Sequence, residues 1–201
     1  MGKIIDGLLT RLYMARFGDG ANDYDVPRID ASTHAMQTIE YEHHEIHSGS
    51  HYFIDDVVDL AINNVLDIQW TTPNTTQWAH LTFNLATEAE TEWYAYEGVT
   101  INTPGTAVTP PNSDRNSGNT SNATIATITN TSVANANADT AVAGATQIAH
   151  GIVGAGRNGG FERRDREIIL KQNSIYSFRA IANAAGYINF VINWYEHTNK
   201  D

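Results

Sequence analysis

The chain has 201 residues, a formal net charge of −11 and no cysteine. That length suits one compact domain with small appendages. The charge repels nucleic-acid phosphate and anionic lipid, so no nucleic-acid and no membrane partner is expected. The missing cysteines exclude disulfides and thiolate nucleophiles, and no run approaches the ~18 apolar residues of a membrane-spanning helix.

Residues 3–17 place Ile4, Ile5, Leu8, Leu9 and Leu12 on one helical face. Lys3, Asp6, Arg11 and Arg16 interrupt the segment, so it does not read as a secretory leader, and cytoplasmic synthesis is the expectation. Gly18-Asp19-Gly20 stops the helix, and residues 18–37 read as an extended, turn-rich stretch around Pro27. Residues 1–37 are therefore an N-terminal arm, and its five apolar residues are the candidate partner-binding set.

From residue 38 the period changes to two. Thr38–His43 alternates as a half-buried strand, Ser48-Gly49-Ser50 breaks it, and His51–Ile54 is a second strand. Asp55–Ile62 fits either a bulged strand or a helical turn. Asn63-Asn64 is a turn and Val65–Thr71 a third strand. Trp78–Ala86 alternates Ala79, Leu81, Phe83 and Leu85 against Trp78, His80, Thr82 and Asn84, and Glu92–Gly98 is expected to return as its hairpin partner. Val99–Asn102 adds a short strand.

Residues 103–147 are a polar excursion rich in Thr, Asn, Ala, Ser and Gly. Within it, 120–132 alternates weakly, as one or two exposed strands would, and 135–146 reads as loop. Ile148–Val153 is a strand and Gly154–Gly160 a turned loop. Glu162–Glu167 reads as a charged, solvated turn. Glu167–Leu170, Ile175–Ala182 and Tyr187–Tyr195 are strands. Short strands at this spacing, with no long helices between them, make the chain all-β: an antiparallel, jelly-roll-like β-sandwich over residues 38–201.

Four patterns invite a chemical reading. His34, His43, His44, His47 and His51 crowd one stretch, and a helix would bring His43 and His47 together at i, i+4. The expected strand instead puts His43 with Glu45 and His44 with Ile46. A zinc-type site needs three or four ligands, so the cluster reads as exposed and no metal is assigned. Gly154–Gly159 spells G-x-G-x-x-G, but a dinucleotide site needs those glycines to open a helix; a charged hexamer and a strand follow. Asp55, Asp56, Asp59, Glu88, Glu90 and Glu92 sit in turns or point outward, which is not the paired apolar and polar setting of a glycosidase. Trp70, Trp78, Trp93 and Trp194 are candidates for a sugar platform, with core packing as the default. No catalytic or cofactor-binding residue, and hence no enzyme, is assigned.

Four strings read together are informative: His51-Tyr52-Phe53-Ile54-Asp55-Asp56, Asp67-Ile68-Gln69-Trp70-Thr71-Thr72-Pro73, Trp78-Ala79-His80-Leu81-Thr82-Phe83, and Gly186-Tyr187-Ile188-Asn189-Phe190-Val191-Ile192-Asn193-Trp194-Tyr195-Glu196. With the polar 112–117 segment, the combination resembles small virion structural proteins of tailed bacteriophages, of the capsid-decoration (cement) type, over residues 38–197. The resemblance implies a β-sandwich on the capsid exterior, made in the host cytoplasm. It implies a symmetric homo-oligomer, with a trimer the expected form, that clamps subunits of the major capsid protein. Residues 1–37 have no counterpart in it. The alternative reading is a receptor- or carbohydrate-binding module of a phage head or tail fibre, and a cupin-like metal enzyme is a third.

Overall fold

A computed structural model describes Ser32 and residues 41–130, 132, 138–161 and 167–198. The helix expected over 3–17, its five apolar residues, the 18–37 stretch apart from Ser32, and most of the charged hexamer lie outside the described residues. What is described is all-β with one short helix.

That helix, α1 (Tyr41–Ser48), replaces the strand expected through His43. The apparent alternation rested on Ile39 and Tyr41 alone. What decides the segment is its stop signal. Gly49 takes φ 73°, its N–H donates to Ile46 O at 3.0 Å, and the Ser50 N–H donates to Glu45 O at 3.0 Å. This is a Schellman closure, which favours glycine because a side chain at positive φ is strained.

Thirteen strands follow among the described residues. They are β1 (His51–Leu60), β2 (Val65–Thr71), β3 (Gln77–Thr87), β4 (Thr91–Glu97), β5 (Thr100–Ile101), β6 (Thr106–Val108) and β7 (Thr124–Asn130). Then come β8 (Ala138–Asp139), β9 (Thr146–Val153), β10 (Arg157–Phe161), β11 (Ile168–Ile169), β12 (Ile175–Ala182) and β13 (Gly186–Thr198). One sheet has the order β1-β13-β3-β10, with β11 also on β3; the other runs β6-β7-β2-β12-β4-β9; β5 and β8 form a separate pair. The ambiguous 55–62 stretch is strand as far as Leu60, and the glycine-rich loop becomes strand from Arg157.

The first four strands, β1 to β4, alternate between the two sheets. The hairpin expected between β3 and β4 is therefore absent: β3 pairs with β13, and β4 with β12 and β9. The reason is visible in the short link between them. The Glu88 N–H donates to Tyr187 O and the Asn183 N–H to Glu90 O, both at 2.9 Å. The link is held by the β12–β13 connection rather than by a turn of its own.

The same rule runs along the chain. Residues 51–97 pair with residues 146–161 and 168–198 in one antiparallel ribbon: His51 with Tyr195, Val65 with Ile181, Leu81 with Ile168, Thr87 with Arg157, Thr91 with Val153 and Glu97 with Thr146. Even the inter-sheet links pair, through Asn63 N–H to Ala182 O (2.7 Å) and Thr72 N–H to Ser174 O (3.0 Å). A ribbon folded so that its two arms share both sheets is a jelly-roll-like sandwich.

The core lies between the sheets. Leu81, Phe83, Leu85, Phe190, Ile192 and Trp194 face Leu66, Ile68, Trp70, Trp93, Tyr176 and Phe178. Trp70 meets Trp194 edge-on at 4.6 Å between ring centroids, and Phe83 lies 5.7 Å from Phe178. Burying one such large side chain contributes about 1.5–3 kcal/mol.

On the outer face of the second sheet, Asp67, Gln69, Ser177 and Arg179 are buried too. The polar excursion covers them. Gln69 donates to Thr103 O and accepts from the Gly105 N–H, and Arg179 donates to Ala138 O at 2.7 Å. Beneath that cover Asp67 takes two guanidinium bonds from Arg179, at 2.7 and 3.1 Å, and one from the Ser177 hydroxyl. The weakly alternating 120–132 stretch proves to be one strand, β7, with Ile125 in the core.

Removing one partner of a buried ion pair strands the other charge, at a cost of about 3–5 kcal/mol. Asp67→Ala is expected to lower unfolding free energy by about that much in a urea titration. Asp67→Leu combined with Arg179→Met is expected to recover most of the loss, because no charge is then left buried.

Candidate functional site

The outer face of the first sheet has no comparable cover among the described residues. Strand register builds it in rows: Phe53–Asn193–Thr82, Asp55–Val191–Asn84 and Val57–Asn189–Ala86, with Asp59 beside Tyr187. Inward-facing neighbours Ile54, Phe83, Phe190 and Ile192 fix the orientation of each row, since a strand alternates faces. The paving mixes Asn, Thr and Asp with Phe53, Val191 and Ala86. Three large side chains stand out of it, Val57 at 58%, Tyr187 at 55% and Ile169 at 47% exposure. The result is a broad surface suited to contact with another surface rather than a pocket for a small molecule.

At the α1 end this face closes into a polar aromatic cluster. His80 stacks on Tyr195 at 4.7 Å, and His197 lies 4.3 Å from His80. Glu167 accepts from the Tyr195 hydroxyl at 2.8 Å and pairs with His80 Nδ1 at 2.7 Å. A carboxylate on Nδ1 is the arrangement that orients an imidazole for base chemistry. Here Nε2 is sealed from solvent and finds no hydrogen-bond partner among the described residues. The cluster therefore ties β3, β13 and β11 together and presents no base to solvent.

A cleft of 420 Å³ lies beside it, lined by Gly49, Ser50, Tyr52, Gln77, Asn119 and Glu196 among others. Glu196 occupies an inward position of β13 and is buried. Its carboxylate accepts from the Ser121 hydroxyl (2.5 Å), the Asn122 N–H (2.9 Å), Asn122 Nδ2 (2.9 Å) and Trp194 Nε1 (3.0 Å). With its lone pairs so occupied, the carboxylate locks the 121–123 turn to the core indole. Sequence reading missed this role. The one signal was a glutamate continuing the inward register of Phe190, Ile192 and Trp194.

The other candidate residues are dispersed. Ile4, Ile5, Leu8, Leu9 and Leu12 lie outside the described residues, as does His34. His43, His44 and His47 ride on α1, whereas His51 is buried and bonded to the Ser113 hydroxyl at 2.6 Å. The G-x-G-x-x-G string links β9 to β10 with Gly156 at φ 68°, and no helix follows it. Asp55, Asp56 and Asp59 are exposed along β1. Glu88 caps the Tyr187 N–H, and Glu90 and Glu92 share the Asn183 amide. Trp93 is buried with Trp70 and Trp194, which removes it as an exposed sugar platform and leaves half-buried Trp78.

Several phenols are shifted. Burial raises Tyr176 and Tyr96, and burial followed by the Glu196 charge raises Tyr52. The Tyr94 phenol is pushed up to about 12, chiefly because it donates to Glu92 Oε2 at 2.6 Å. No protein family, no curated protein and no solved structure matches this chain.

Two outcomes are expected. Glu196→Ala leaves the Trp194 and Asn122 donors unpaired and lowers stability by about 2–4 kcal/mol in denaturant titration. Tyr94 holds its proton more tightly when folded than an unfolded tyrosine does at about 10. Its contribution is complete below that pH and is lost as pH rises towards about 12. Tyr94→Phe should remove the tyrosinate step at about 12 from an ultraviolet absorbance titration and flatten the alkaline fall in melting temperature.

Proposed function

We propose that this protein is a structural virion protein that binds the outer surface of a phage capsid and stabilises contacts between capsid subunits. The observation that carries the reading is the asymmetry of the sandwich. The centre of one sheet's outer face, around Asp67, Gln69, Ser177 and Arg179, is covered by the polar excursion, whereas the other sheet's outer face has no such cover among the described residues and has Val57 and Tyr187 projecting from it. A surface of that kind gains by repetition, because many modest contacts on a lattice add up through avidity.

The four strings that resemble decoration proteins fall on β1, β2, β3 and β13, which supply much of the core. They support a shared scaffold, on which the exposed rows make the contact. A symmetric homo-oligomer, with a trimer the first expectation, would place several such faces towards the shell. The five apolar residues Ile4, Ile5, Leu8, Leu9 and Leu12 would serve as an anchoring stripe on capsid protein. The alternative, a receptor- or carbohydrate-binding module, rests on Trp78 alone, since the other three tryptophans are buried.

The test is addition of purified protein to capsids stripped of it. The full chain is expected to saturate the particles and raise their melting temperature. Val57→Lys with Tyr187→Ala is expected to reduce occupancy at least about tenfold, which corresponds to 1.4 kcal/mol or more, with the sandwich still folded. Removing residues 1–30 should weaken attachment likewise. Full occupancy by both altered proteins, or glycan-dependent adhesion to cells with no capsid binding, would overturn the reading.

A further inference from the structure

The helix that replaced the expected strand changes what the histidines can do. His43 and His47 sit at i, i+4 on α1, both exposed. Their Nε2 atoms are 2.9 Å apart, while the ring centroids are 4.7 Å apart and the rings lie 17° from parallel. The nitrogens thus lean towards each other from rings that diverge behind them. Two imidazoles bound to one ion at about 2.0–2.1 Å, at a right angle, would have their nitrogens about 2.9 Å apart. The observed separation is the bite of a two-imidazole chelate.

The two exposed rings are held in this arrangement by a hydrogen bond between their Nε2 atoms, one donating and one accepting, which an ion bound by both nitrogens would replace. The helix end that carries them is also fixed. Glu45 is buried and accepts from the Ser50 and Ser48 hydroxyls, and the Gly49 closure stops the last turn from fraying. His47 is thereby held one turn from His43, which lowers the ordering cost of bringing both nitrogens to one ion.

We propose that His43 and His47 form a surface chelate for a borderline divalent transition-metal ion. Imidazole pairs suit Cu²⁺, Ni²⁺ and Zn²⁺, and Cu²⁺ binds most tightly in that series. The net charge of −11 favours cation approach. Among the described residues no third His, Cys, Asp or Glu completes a cage, so water fills the remaining positions and the ion is exchangeable. This is a separate property from the capsid-binding reading, and neither depends on the other.

The experiment titrates the full chain with Cu²⁺ alone and follows it by calorimetry and electron paramagnetic resonance. The expected result is one Cu²⁺ per chain with a two-nitrogen hyperfine pattern. His43→Ala and His47→Ala should each weaken binding about tenfold or more. His47→Gln, which keeps a hydrogen-bonding side chain on the helix, should do the same. His44→Ala leaves the pair intact and should bind as the parent does. Circular dichroism checks that each variant is folded. Equal uptake by parent and the His43→Ala/His47→Ala double variant, a pattern lacking two nitrogens, or an equal loss in His44→Ala would overturn the proposal.

Discussion

The structure depends on one constraint: residues 51–97 pair with residues 146–161 and 168–198 in one antiparallel ribbon that is then folded across two sheets. Backbone hydrogen bonds persist through the strands and also through the links between them, as Asn63 with Ala182 and Thr72 with Ser174 show. A buried connection would otherwise leave polar backbone groups unpaired, which is costly. Folding the ribbon creates a second set of pairings, β13 with β3 and β12 with β4, that no local turn could have produced. These pairings enclose Trp70, Trp194, Phe83 and Phe178 and make the core.

Two buried carboxylates hold the periphery to that core, and each does so through saturation of its lone pairs. Asp67 neutralises Arg179, whose remaining reach is to Ala138 O in the excursion. Glu196 joins the 121–123 turn to the Trp194 indole. Neither group is free to react, because the hydrogen bonds that make its burial tolerable also occupy its acceptors. Burial of charge here serves to choose one arrangement of the excursion over others.

The two outer faces then take different roles. The part of the second sheet that carries Asp67, Gln69, Ser177 and Arg179 is roofed by the excursion; the first sheet keeps Val57 and Tyr187 exposed. Under the proposed function the roofed face is a closed side and the open face is the contact. The α1 helix leads into β1 at His51, which pairs with Tyr195 of the polar cluster.

Periodicity made most strands legible. Val65–Thr71 has the bounds expected of it, and β3 buries Ala79, Leu81, Phe83 and Leu85 as its alternation demands. The sequence alone therefore determined the all-β class, the sandwich and the inward face of its clearest strands. Only the tertiary structure decided which strands pair. Glu88-Ala89-Glu90 looks like a hairpin turn until Tyr187 and Asn183 are seen to hold it from elsewhere in the chain. Only the fold could reveal that Asp67 and Gln69, which alternate like solvent-facing residues, lie under a roof, or that Trp93 is inside. The strand expected through His43 proved to be helix over Tyr41–Ser48, decided locally by the closure at Gly49. Period is a local property, recorded in a few neighbouring residues, whereas pairing, cover and burial depend on segments about a hundred residues apart that meet only once the ribbon has folded.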